Sequence, residues 1–180
     1  METTTKTVWA IDPTHSEVQF KVKHLVISTV TGYFKQFEGS LESDGDNFDG
    51  ASVRFSAEVD SIDTNMPQRD GHLKSADFFD AANYPQLTFV STTFVKKDDE
   101  NYTLTGDLTL RGVTLPVTLS AVYGGQMTDF YGNHKVGFEI SGKLNRKDFG
   151  LNWSAVTEAG GVVVSDEVKL HINVQLAKQA

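Results

Sequence analysis

The chain has 180 residues, a net charge of −8, twelve Phe and no Cys. The missing thiols exclude disulfides, cysteine nucleophiles and Cys-based metal sites, and the charge opposes phosphate backbones and anionic surfaces, so no nucleic-acid partner is expected. The length suits one domain over residues 1–180 with a core that needs no staples.

Along the chain the dominant signal is a period of two. At the N-terminus, Met1–Lys6 lacks the charged-then-apolar order of a secretory leader. As written the chain therefore reads as cytoplasmic; a removed leader would make it periplasmic. Val18, Phe20 and Val22 then alternate with Glu17, Gln19, Lys21 and Lys23. His24–Phe34 breaks the rhythm and reads as a short helix or loop. Val53, Phe55, Ala57 and Val59 resume the alternation after the turn signal Asp44-Gly45-Asp46-Asn47. Residues 65–82 read as a helical excursion, with Asn65 as cap, Pro67 in the first turn and Ser75 capping a second short turn. Tyr84-Pro85 ends it, because a residue before proline leaves the helical region.

Four further alternating runs follow. Tyr102, Leu104, Leu108 and Leu110 share one face, as do Leu115, Val117, Leu119, Ala121 and Tyr123. Val136, Phe138, Ile140 and Leu144 form the third run, and Val168, Leu170, Ile172, Val174 and Leu176 the last. Turn signals separate them at Lys97–Asn101, Arg111-Gly112, Tyr131-Gly132-Asn133 and Gly160-Gly161. One apolar and one polar face per run is the pattern of antiparallel strands wet on one side. Long strands joined by short turns predict an all-β barrel, with the excursion across one end. No apolar run is long enough to span a bilayer, so no stable membrane insertion is expected.

Candidate chemistry is sparse. His15, His24, His72, His134 and His171 are scattered without the spacing of a zinc site, so no metal is expected. Arg69, Asp70, His72 and Lys74 crowd one segment, but no nucleophile elbow accompanies them. Three potential cations in an acidic chain would suit an anionic head group. Gly106, Gly112, Gly137 and Gly142 lie in or beside strands, where glycine marks bends or close backbone approach. The Phe surplus fits either a packed interior or a greasy cavity, since about eight strands enclose a lumen that side chains can fill or a ligand can occupy.

Several blocks resemble the YceI-like family. They are Trp9–Ser16, His24-Leu25, Gly32-Tyr33-Phe34, Arg69–Asp80 with Tyr84-Pro85 and Phe89, Leu104–Thr114, Arg146–Gly150 and Val164–Val168. The resemblance implies an extended antiparallel eight-stranded lipocalin-like barrel with a hydrophobic tunnel. It also implies binding of polyisoprenoids, isoprenoid quinones, prenyl diphosphates or fatty amides, and a homodimer. Many members carry a secretory leader, and the N-terminus as written departs from that pattern.

The expected function is thus non-catalytic binding of a small hydrophobic ligand for storage, transport or sensing. No cofactor is required beyond a bound isoprenoid lipid or quinone. The expected wall is Phe20, Val22, Phe34, Phe55, Phe89, Leu104, Leu108, Leu119, Phe138, Ile140 and Leu144, with Phe78, Phe79, Phe149 and Trp153 nearer an opening. Arg69, His72 and Lys74 are the candidates for a polar head. Two alternatives stand beside this: an enzyme acting on the head group of a prenyl lipid, with Arg69–His72 doing acid–base work, and a filled barrel serving as a protein-interaction module.

Overall fold

The structure, a computed structural model, describes residues 6–25, 27–153 and 164–179. Its strands are β1 (Thr7–Ile11), β2 (Glu17–His24), β3 (Ser28–Phe34), β4 (Phe37–Asp44), β5 (Asn47–Glu58), β6 (Ile62–Asp63), β7 (Gln86–Lys96), β8 (Asn101–Leu110), β9 (Val113–Thr128), β10 (His134–Asn145) and β11 (Val164–Lys178). One helix, α1 (Pro67–Lys74), lies between β6 and β7. The Gly160-Gly161 turn signal lies outside the described residues.

Three short breaks divide eight ribbons into these eleven strands. Between β1 and β2, Pro13–His15 forms a 3₁₀ turn, because proline has no N–H for a ladder. The Asp12 carboxylate caps this turn, accepting from the Thr14 N–H at 3.0 Å. Lys35 and Gln36 separate β3 from β4, and a second 3₁₀ turn at Val59–Ser61 separates β5 from β6. The two halves of each ribbon share neighbours: β11 meets β1 at Leu176–Ile11 and β2 at Asn173–Glu17. Ribbons β1/β2, β3/β4, β5/β6, β7, β8, β9, β10 and β11 pair antiparallel in chain order, and β11 returns to β1. The result is a closed eight-stranded barrel, as the alternation predicts for the barrel and the family resemblance implies for its eight strands.

His24–Phe34 differs from its sequence reading. It is the end of β2 and the whole of β3, paired from His24–Ser28 to Val18–Phe34. Its apolar residues lack strict alternation only around the hairpin tip, where Leu25 takes a left-handed φ of 54°. The excursion after β6 is helical over Pro67–Lys74 alone, followed by turns. Met66, not Asn65, occupies the cap position, and no side chain caps it. Asn65 instead turns the chain with φ 65°. The β8–β9 turn places Arg111 and Gly112 at φ 49° and 73°, the left-handed pair of a tight hairpin.

Away from α1, aromatic rings fill much of the interior. Trp9, Phe48, Phe94, Tyr102, Tyr123 and Phe138 pack ring against ring, with Phe94 stacked on Tyr102 at 4.8 Å and Phe48 edge-on to Phe138 at 5.4 Å. Trp9 is fully buried, and its indole N–H donates to the buried Ser43 hydroxyl at 2.9 Å. That bond satisfies the one polar atom the ring would otherwise strand. Toward the α1 end the interior opens. Among the described residues, no helix is long and apolar enough to cross a membrane.

Candidate functional site: an apolar cavity under α1

The barrel holds a cavity of about 330 Å³, near the small end of the range for ligand pockets. Cross-strand register builds its wall in layers. The top layer is Leu144, Val168 and Val22; below it come Leu170 and Phe20, level with Gly142, and then Ile140, Ile172 and Val18. Phe138 and Val174 form the next layer, and Leu176 and Ile11 line the cavity one layer further down. On the opposite side β5, β7, β8 and β9 contribute Phe55, Phe89, Leu104, Leu108 and Leu119. Phe34 closes the ring from β3, in contact with Phe20 at 5.6 Å.

Glycine keeps this wall thin. Gly32 faces inward opposite Phe20, and the Phe20 ring lies over its α-carbon. Gly106 receives the Phe89 ring in the same way, and Gly142 receives Leu119. Any Cβ at these positions would collide with the side chain lying there, which would have to move toward the lumen.

The end cover comes from two segments. Residues 64–85 cross from β6, where Phe79 meets Phe34 at 6.0 Å, to the β8–β9 turn, where Arg111 donates to the Phe78 carbonyl at 3.0 Å. Phe149, Leu151 and Trp153 approach from β10. All four side chains expected near an opening, Phe78, Phe79, Phe149 and Trp153, border the cavity.

Its few polar lining residues sit at the same end, Ser40 excepted: Lys23, His24, Arg69, His72 and Arg146. Lys23 is exposed, so the lining reaches the surface beside it. The Arg69 guanidinium is fixed by Thr64, donating from Nε to Oγ1 at 2.8 Å and from Nη2 to the carbonyl at 2.7 Å. Asp70 accepts from the Thr64 N–H at 2.8 Å and locks the same turn. His72 places Nε2 2.9 Å from Asp77, and its imidazole stands edge-on to Phe78 and Trp153 at 5.0 and 4.9 Å. Lys74 is not part of the lining; its ammonium lies 3.6 Å from Asp60.

Arg146 was not singled out by sequence reasoning, although it opens the Arg146–Gly150 block. It is 4% exposed and donates to the carbonyls of Leu151, Trp153, Val164 and Ser165. Burial lowers its pKa from the ordinary guanidinium value, and Asp166, 3.8 Å away, acts in the opposite direction. Two of those carbonyls, Leu151 and Trp153, follow within seven residues, while Val164 and Ser165 are brought to it by the return of β11, and neither pattern is marked in the sequence. Among the described residues, no three His, Asp or Glu side chains are placed to hold a metal ion.

The family model of the YceI-like domain matches residues 9–176, nearly the whole chain. The chain belongs to the YceI-like family. Protein YceI of Escherichia coli O157:H7 is 44% identical to it over 165 residues, covering 92% of this chain and 83% of that relative. Among solved YceI-like and related folds, BcnA of Burkholderia cenocepacia superimposes with a TM-score of 0.80 at 24% identity, covering 92% of this chain and 98% of its own. A polyisoprenoid binding domain from Saccharophagus degradans, implicated in plant cell wall breakdown, superimposes with a TM-score of 0.73 at 15% identity, covering 95% and 98%. At those identities the two structures speak for the fold alone.

Proposed function

We propose that this YceI-like protein binds a lipid with a long apolar tail, such as a polyisoprenoid, an isoprenoid quinone or a fatty amide, and does not transform it. The observation that carries this reading is the cavity of about 330 Å³, walled by Val, Leu, Ile and Phe and bordered at one end by Arg69 and His72. Burying hydrocarbon yields about 0.8 kcal/mol per methylene. A tail of some twenty carbons would gain well over ~10 kcal/mol gross if fully enclosed, before ordering and association costs remove about half. Tight binding therefore needs no strong polar anchor. Arg69 and His72 would serve to orient a head group carrying oxygen acceptors. The polyisoprenoid binding described for the Saccharophagus domain is in keeping with this reading.

Native mass spectrometry of gently purified protein tests it. The expected spectrum contains a mass increment that disappears on organic extraction and is identified as a lipid. A protein that arrives empty and takes up no isoprenoid or fatty probe would refute the reading.

A further inference from the structure

We propose that the β2–β3 end of the barrel docks on an anionic lipid bilayer: the apolar hairpin tip at Leu25 and Ile27 enters the interface, and a row of lysines beneath it meets the lipid phosphates. The docking stands on the outer surface alone; its purpose, passing a tail into the cavity, rests on the lipid-binding reading above.

Leu25 and Ile27 lie beyond the His24–Ser28 pair that closes the hairpin. Ile27 is 86% exposed and Leu25 40%. The tip stands at the rim of the cavity, because Lys23, His24 and Val30 on its two strands all border the lumen.

Below the tip, register sets three lysines side by side. Lys143 of β10 pairs with Lys169 of β11, and Lys169 with Lys21 of β2. All three are exposed on the outer face, since Leu170 and Phe20 beside them turn into the cavity. Lys23 extends the row toward the tip. Like charges directly opposite one another destabilise a sheet, and a surface of lipid phosphates would offset that repulsion. Glu167 faces Lys143 at 3.5 Å, and Asp166 faces Lys147 at 3.3 Å. Among the described residues, Lys21, Lys23 and Lys169 enter no ion pair.

The net charge of −8 opposes an anionic surface only as a sum. On this face the charges are segregated. Glu17 and Glu139 lie four residues further from the tip than Lys21 and Lys143, about 13 Å along the strands. That exceeds the Debye length of about 8 Å at physiological salt, so a bilayer at the tip meets the lysines first. The opposite end of the barrel has its own apolar tip at Phe130 and Tyr131, 105% and 90% exposed, but the turns beside it carry Asp44, Asp46, Asp98, Asp99 and Glu100. An apolar element joined to a basic patch holds a protein at a membrane where either alone is marginal, and only the β2–β3 end combines the two. A second copy of this chain fits less well, since a twofold contact would set the lysine row against itself.

The test is co-sedimentation of the whole protein with vesicles of phosphatidylcholine alone and of equal parts phosphatidylcholine and phosphatidylglycerol. Binding is expected to the anionic vesicles and should weaken severalfold at high salt. Each lysine near the surface is worth about fivefold, so Lys21→Gln with Lys169→Gln should cost about 25-fold. Ile27→Ser should cost at least about tenfold. Phe130→Ser and Lys97→Gln, at the other end, should leave binding unchanged. The substituted side chains are exposed, so the fold is expected to survive every change. Absence of binding to anionic vesicles, or binding indifferent to the lysine pair, overturns the proposal. So does binding lost in Phe130→Ser and kept in Ile27→Ser. A solution dimer that Ile27→Ser dissociates, without vesicle binding, assigns the tip to a second copy and likewise overturns it. Vesicle binding as expected, by a protein that takes up no fluorescent fatty acid, supports the docking and refutes the lipid-binding reading alone.

Discussion

Gly32→Ala is the sharpest perturbation of the lumen. A Cβ at this position would lie 2.6 and 2.8 Å from the Cε atoms of Phe20, too close for both to stay. In a packed core such crowding costs about 1–3 kcal/mol. Here the displaced ring has somewhere to go, because the cavity begins on its far side. Replacing glycine inside a strand also returns about 0.5–1 kcal/mol of chain entropy. The net loss of stability should therefore stay below about 1.5 kcal/mol. Ligand affinity should suffer more. A ring swung inward takes the place of roughly three methylenes, worth about 2.4 kcal/mol, or close to 60-fold in Kd. Urea unfolding of the lipid-free protein and displacement of a fluorescent fatty acid measure the two quantities. Thr29→Ala, on the outer side of the same strand, should change neither by much. A loss above ~3 kcal/mol with unchanged affinity would show that Phe20 has no free space beside it, and the hollow-wall argument would fail.

Arg146→Met removes a buried guanidinium that serves four carbonyls. It should cost about 3 kcal/mol in urea unfolding, and Arg146→Lys should recover little, since an ammonium lacks the planar fork; full recovery by lysine would contradict this account. Hydrogen bonds from Thr14, Lys135 and His15 hold the Asp12 carboxyl well below the usual carboxylate range. A depressed folded pKa contributes stability above the unfolded value near ~3.9 and loses it as pH falls toward the folded one. Asp12→Asn should accordingly flatten the loss of stability below pH ~4. Asp98 and Asp129 are also depressed, so part of the slope should remain. An acid-unfolding curve with its slope unchanged by Asp12→Asn would refute the assignment.

Much of the barrel was legible because one face of every strand is apolar and a strand inverts completely on a one-residue slip. The inward sets around Phe138, Leu104 and Val168 follow directly from alternation, and with them most of the cavity wall. The interruptions at Pro13–His15 and Val59–Ser61 were not legible. Each is a local turn that leaves the ladder neighbours in place, so the alternation resumes beyond it. Periodicity also could not say which rings would pack on one another and which would lie flat against a wall. That division depends on partners far apart in the chain: Trp9 on Phe48, and Phe20 on Gly32. Lys74 shows the same limit at the head end. Its neighbours in sequence, Arg69 and His72, border the cavity, while one helical turn carries its own ammonium toward Asp60.

The cover over residues 64–85 differs in kind from the wall beneath it. Every wall residue is tied to a register, where one insertion would turn a whole strand inside out. A short helix followed by turns carries no such bookkeeping and tolerates changes of length and shape. A change of length in this excursion would therefore reshape the polar end of the cavity and leave the strand registers beneath it as they are.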